Sequence, residues 1–315
     1  MNNVFDYTCG FHIDMAAVLE AMRGNKERDP VVFKTCRRKP LPWRDELIET
    51  AKHIRRVSAG HPLYVCMSGG IDSEVIARSF LTAGIPFEAV TFRHVQGTNE
   101  HDIAYAFEWC YKNDVKLNVI PFDVTEFFVS GIPRIIEQGY YAGVGTHLSY
   151  MYIHMARTIS SMGGVAIMGS GETLFKSDGK EVSLEFRMWW HNNCRYLFDN
   201  PKHFHFPWFF KTTPEMIAAY LEEELVQLVT RDPTYYQCAP LPEVQTLEKT
   251  IVYHKNFPDM RRRPKNTGWE VVYEKNPIVN RWIDERRLNY RYHAVDRLEY
   301  IPVSKVRTQL GLSGF

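Results

Sequence analysis

Between residues 62 and 170 short apolar runs take turns with longer amphipathic stretches. "PLYVCM" (62–67) is a short apolar run and predicts a strand. The following "IDSEVIARSFLTAG" (71–84) places Ile71, Val75, Ile76 and Phe80 on one helical face, with Gly84 suited to the helix exit. "FEAVTF" predicts the next strand, and "EHDIAYAFEWCYKND" a helix with Ile103, Phe107 and Cys110 at helical spacing. "KLNVIPF" reads as a third strand, "THLSYMYIHMARTISSMG" as a long helix and "GVAIMG" as a fourth strand. Strands that are apolar throughout and separated by helices favour a parallel sheet covered on both faces. Right-handed crossovers then make a doubly wound α/β core.

Outside that stretch the rhythm is less regular. Residues 1–58 carry mixed helical signals broken by Pro30, Pro40 and Pro42 and read as an N-terminal extension packed on a core of residues 59–230. After residue 185 aromatics accumulate, and Trp189, Trp190, Trp208 and Phe209 read as core rather than as a stacking platform. "TPEMIAAYLEEELVQLV" (213–229) predicts one helix, with Thr213 as N-cap and Pro214 at the first helical position. Residues 231–315 are expected to pack on the core and line its mouth.

Composition narrows the class. A chain of 315 residues with 45% hydrophobic and 24% charged residues buries a large core. Its six cysteines are scattered without a CxxC pair, and His191, His203 and His205 form no HExxH, so reduced thiols are expected and a zinc site is not. No basic opening precedes an apolar stretch and no run approaches about 18 apolar residues, so a cytoplasmic protein without membrane insertion is expected. Net charge is +1, yet residues 251–315 hold 13 lysines and arginines against 7 acids. That surplus suits an anionic substrate, a nucleotide or RNA, although a solvated surface has the same composition.

The candidate chemistry lies in "YVCMSGGIDSEV" (64–75), a small polar turn between a buried strand and a helix. Ligands of open α/β sheets sit beyond the carboxyl ends of the strands, where Ser68–Ser73 fall. Gly69 and Gly70 leave the backbone free to adopt unusual dihedrals and approach a ligand. Successive N–H groups, the Ser68 and Ser73 hydroxyls and the helix N-terminus then favour an anion at one spot. Neither the Walker A pattern nor GxGxxG occurs.

The SGGxDS turn resembles the PP-loop of the N-type ATP pyrophosphatases, which cleave ATP between its α- and β-phosphates. Two further segments, "THLSYMYIHMARTISSMGGVAIMGSGE" (146–172) and "EKTIVYHKNFPDMRRRPKNTGWE" (248–270), resemble the synthase domain of asparagine synthetase. The resemblance implies an ATP-dependent, AMP-forming ligase in which a carboxylate or carbonyl oxygen attacks the α-phosphorus and an amine displaces AMP. It implies ATP and Mg²⁺ as cofactors, with Ser68, Gly69, Gly70, Asp72, Ser73 and Gly171 around the phosphates. It also implies Asp72 as Mg²⁺ ligand, Glu172 as second ligand or general base, and Lys265 neutralising phosphate charge. Met67, Thr91 and Phe92, at the ends of the first two core strands, are expected around the adenine.

Two departures bear on these expectations. Glu172 is followed by Thr173, Leu174, Phe175 and Lys176 where the family carries a glycine and an acidic pair, so one Mg²⁺ carboxylate is missing from its expected place. No glutaminase with an exposed cysteine precedes the core, and residue 2 is Asn2, so a small-molecule acceptor would take free ammonia, an amine, or ammonia from a separate subunit. The alternatives are a PP-loop enzyme modifying tRNA or a nucleobase, a sulfonucleotide reductase-like enzyme, and a nucleotide-binding module without chemistry. Nucleic acid is not favoured as a partner, and the lack of a paired or terminal catalytic cysteine argues against reduction.

Overall fold

The computed structural model describes residues 9–14, 17, 31–140, 147–187, 195–197, 199–235, 241–261, 263, 268–287 and 298–312. Its centre is a five-stranded, all-parallel sheet in the order β5-β4-β3-β6-β9, built from β3 (Leu63–Cys66), β4 (Glu88–His94), β5 (Leu117–Phe122), β6 (Val165–Ile167) and β9 (His205–Phe206). Strand order reverses between β3 and β6. Crossovers of one hand therefore lie on opposite faces, giving the doubly wound α/β fold that the apolar runs predict.

β3 and β6 are buried along their whole length, as central parallel strands must be. β5 departs from this pattern: as the edge strand it is half-solvated, and Val119 is exposed. β9 is a fifth strand that the sequence pattern does not show, because it is two residues long inside the aromatic-rich stretch.

The helices α1 (Trp43–Val57), α2 (Ile71–Thr82), α3 (Glu100–Lys112) and α4 (His147–Ser161) surround this sheet. α2 buries Val75, Ile76 and Phe80, each worth about 1.5–3 kcal/mol of transfer free energy. The chain leaves α2 through Gly84 at φ +66°, a left-handed conformation suited to glycine. On α3 the expected face is corrected: Ile103 and Cys110 are buried, but Phe107 is 42% exposed, and Ala106 and Trp109 turn inward instead.

The helix expected over 213–229 is two, α5 (Pro214–Leu221) and α6 (Glu224–Arg231), broken at Glu222 and Glu223. Thr213 caps α5, its Oγ1 accepting from Met216 N at 3.2 Å. Trp208 and Phe209 are fully buried core residues, while Trp189, Trp190 and His191 lie outside the described residues. Cys9, Cys36, Cys66 and Cys110 are buried free thiols.

Two smaller sheets flank the core. β1 (Phe11–Ile13) and β2 (Val31–Phe33) pair antiparallel, and β7 (Phe175–Ser177) and β8 (Val182–Arg187) pair antiparallel with β10 (Leu298–Pro302) in the order β10-β8-β7. The later helices are α7 (Leu241–Asn256), α8 (Gly268–Lys275), α9 (Pro277–Arg287) and α10 (Val303–Leu310). Among the described residues no helix is long and apolar enough to cross a membrane.

Candidate functional site

A cavity of about 350 Å³ opens at the carboxyl ends of β3, β4 and β6, where the strand order reverses. Its walls include Ser68, Gly70, Asp72 and Ser73 from the turn after β3, Thr91 and Phe92 from β4, and Ser170 and Glu172 from the turn after β6. Leu148, Met151, Tyr152 and Met155 close it from one face of α4. Trp269, from α8, completes it.

The two glycines of the turn do different things. Gly69 adopts φ +90°, and a Cβ there would fall 1.9 Å from the Asp102 carbonyl oxygen, so only glycine fits. Gly70 has an ordinary extended backbone (φ −72°, ψ 160°), so of the two glycines free to take unusual dihedrals only Gly69 does so. It stands at the N-cap of α2, which has no side-chain cap, so first-turn N–H groups remain for an anion. The Ser68 and Ser73 hydroxyls lie 3.5 Å apart, Ser68 Oγ accepts from Gly70 N at 3.2 Å, and Ser73 donates to the Gly70 carbonyl at 2.9 Å. The turn thus brings its hydroxyls to one place, as the motif predicts.

Asp72 is already engaged. Lys249 Nζ donates to one of its oxygens at 2.7 Å and Tyr253 OH to the other at 2.8 Å. Lys249 and Tyr253 are four residues apart on α7 and so share a face. Burial pushes the Asp72 carboxyl above its usual range, Lys249 opposing this and Glu172 adding to it. The Asp72 and Glu172 carboxylates hold Lys249 protonated against its own burial. Beneath the pair, Tyr253 stacks on Trp43 and Phe210 at 5.1 and 5.9 Å between ring centres, so α1 and α7 meet under the Ser68–Ser73 turn.

Glu172 is placed by its backbone. Gly171 takes φ +87°, and a Cβ would meet Trp208 Cβ at 2.8 Å. The fully buried Lys211 donates from Nζ to the carbonyls of Gly171 and Glu172 at 2.5 and 3.0 Å. That fixes the strand-end turn and sends the Glu172 side chain to the same cavity as Asp72.

A second tie comes from Arg263. Its guanidinium donates to the Gly69 carbonyl and to the Glu74 carboxylate, and lies 4.8 Å from the centre of the Tyr105 ring. Glu74 is 1% exposed and also accepts from Arg78 at 2.8 Å. The C-terminal segment therefore grips the Ser68–Ser73 turn from outside. Lys265 lies outside the described residues.

Met67, Thr91 and Phe92 all line the cavity and are nearly buried. Asn99 braces the end of β4, accepting from His94 N at 2.9 Å and donating to the Phe92 carbonyl at 2.8 Å. Burial pushes the His94 imidazole down to about 4, so it is a neutral wall at neutral pH. Lys249, Tyr253, Lys211 and Arg263 are the site residues that the motifs do not single out. Lys249, Tyr253 and Arg263 lie within 248–270, where the helical spacing of Lys249 and Tyr253 is the local signal that pairs those two.

No protein-family model and no curated protein matches the chain. Among solved structures, it is similar to an NMN synthetase from Francisella tularensis, at 12% identity over 86% of this chain and 93% of that one, with a TM-score of 0.36. It is also similar to an NH3-dependent NAD synthetase from Campylobacter jejuni subsp. jejuni NCTC 11168 in complex with the nitrate ion, at 13% identity over 71% and 100%, with a TM-score of 0.33. Both likenesses are distant, and neither is to an asparagine synthetase.

Proposed function

We propose that the protein is an ATP-dependent, AMP-forming ligase of the PP-loop type that makes a C–N bond, with an acceptor activated as in asparagine synthetase. The observation that carries this reading is the single cavity joining an uncapped helix N-terminus, the Ser68–Ser73 turn and the two carboxylates Asp72 and Glu172.

In this reading the turn holds the pyrophosphate end of ATP, where oriented N–H groups stabilise the charge that grows on the leaving group. Adenine lies across the ends of β3 and β4 against Met67, Thr91 and Phe92. The acceptor occupies the part of the cavity under α4 and Trp269. An oxygen of its carboxylate or carbonyl attacks the α-phosphorus, and an amine or ammonia then displaces AMP, with Glu172 taking the amine's proton.

The donor set fits Mg²⁺. A carboxylate offers about four lone-pair sites. Asp72 therefore keeps acceptor capacity beside its bonds to Lys249 and Tyr253, and Glu172 faces the same cavity. A hard cation that retains phosphate oxygens and water needs only one or two such ligands. When bound there it would supply charge neutralisation to the departing pyrophosphate.

Exchange of labelled pyrophosphate into ATP tests the reading across amino acids, other carboxylates, nucleosides and tRNA. Acceptor-dependent exchange is expected, reduced by roughly 100-fold or more in Asp72→Asn, while Glu172→Gln should lose as much in formation of the C–N product. Tight ATP binding without exchange under any acceptor would leave only a nucleotide-binding module, and exchange with tRNA or nucleosides alone would point to a modifying enzyme.

A further inference from the structure

A second cavity, of about 540 Å³, lies between the β1–β2 pair, α1 and the start of α5, and shares no lining residue with the first. Thr50 lines it and is 1% exposed, yet its hydroxyl has no hydrogen-bond partner. A buried hydroxyl left unsatisfied costs roughly 1–3 kcal/mol, so the wall has a donor that a ligand would satisfy.

The charges around that hydroxyl are unequal in availability. Three carboxylates face the cavity, and each has a partner within the chain. Glu46 takes both arms of Arg38 and the Leu41 N–H, the latter at 2.7 Å. Glu215 accepts from Arg37 N at 2.6 Å, and Glu49 accepts from Lys52 at 2.7 Å. Glu215 and Glu46 also lie near the buried Cys36 thiol, which burial and then these two acids push up to about 12.

Among the described residues no carboxylate pairs with the guanidinium groups of Arg37 or Arg56, which line the same cavity with Lys34. Two guanidinium forks beside a buried hydroxyl match an oxyanion with several acceptor oxygens. The volume falls in the range of small-molecule sites.

We propose that this second cavity binds a phosphate-bearing small molecule, its phosphate oxygens held by Arg37 and Arg56 and by the Thr50 hydroxyl. The site is separate from the nucleotide turn and does not depend on the ligase reading.

Calorimetric titration of the full chain with inorganic phosphate, pyrophosphate, AMP and a short single-stranded oligonucleotide tests it. Pyrophosphate or AMP is expected to fill two sites in the unaltered protein. Ser68→Ala/Ser73→Ala should weaken one of them, while Arg37→Gln/Arg56→Gln weakens the other by at least about tenfold. Thr50→Val is isosteric and should fold with an unchanged or slightly raised Tm. It should lose roughly fivefold at the second site alone. Binding that is indifferent to both Thr50→Val and Arg37→Gln/Arg56→Gln overturns the proposal, whether one event or two is seen in the unaltered protein. Binding of the oligonucleotide without any of the small phosphates overturns it equally.

Discussion

Arg263 reaches the Ser68–Ser73 turn from 194 residues away and donates to the carbonyl of Gly69, the residue whose left-handed backbone sets the direction of the turn's N–H groups. Arg263→Met removes that donor and leaves the buried Glu74 with Arg78 as its remaining cation. It should lower stability by on the order of 2–3 kcal/mol in urea and weaken ATP binding. Lysine in its place should not restore ATP affinity, because one ammonium cannot reproduce two divergent guanidinium bonds. Lys249→Met acts on the carboxylate itself, leaving the part-buried Asp72 with only the Tyr253 hydroxyl. A loss of roughly 3 kcal/mol is expected in equilibrium unfolding, against about 1 kcal/mol for Tyr253→Phe, which removes one neutral donor and keeps the stacking on Trp43. Equal effects from the two substitutions would contradict the ion pair as the dominant tie on Asp72.

At the level of elements, α3 shows how far periodicity reaches. Ile103 and Cys110 lie seven residues apart and are both inside, but the stripe between them runs through Ala106 and Trp109 rather than Phe107. Phe107→Ser should therefore change Tm by little more than the scatter of surface substitutions, about 0.5 kcal/mol, while Trp109→Ala costs roughly 3 kcal/mol or more by opening a cavity. The reverse order in thermal unfolding would place the helix wrongly. Strands β3, β4, β5 and β6 were legible because each is an apolar run bounded by turn residues. β9 was not, since two residues carry no period and its pairing with β6 is decided by tertiary packing. The break between α5 and α6 was hidden for a related reason: Glu222 and Glu223 are ordinary helix residues, and nothing local announces that Lys255 Nζ and Arg307 will hold them from other elements. The Ser68–Ser73 turn was readable because six consecutive residues make it. Lys249, Tyr253, Lys211 and Arg263 were not, since each meets the site across a long separation that no local spacing encodes.

The molecule as a whole should be sensitive to acid. His94, His147 and His205 are each pushed down to about 4 by burial, against about 6.5 for an exposed imidazole. A group whose pKa is lower in the folded than in the unfolded state contributes stability in full above the unfolded value and loses it as pH falls toward the folded one. Between pH 7 and pH 5 each of the three should forfeit on the order of 2 kcal/mol. Chemical denaturation across that interval should show the midpoint falling steeply below about pH 6.5, and a flat profile down to pH 5 would mean that these imidazoles are not buried neutral.

Asp72 is translated early, but the lysine and tyrosine that hold it follow 177 and 181 residues later, and the arginine that braces Gly69 later still. During synthesis the strand and helix around the turn leave the ribosome long before those partners exist. A nascent chain, or one truncated ahead of α7, therefore has a sheet ready to assemble around a carboxylate that lacks its counter-charge. Ordering of the Ser68–Ser73 turn is consequently expected only once α7 and Arg263 have been made.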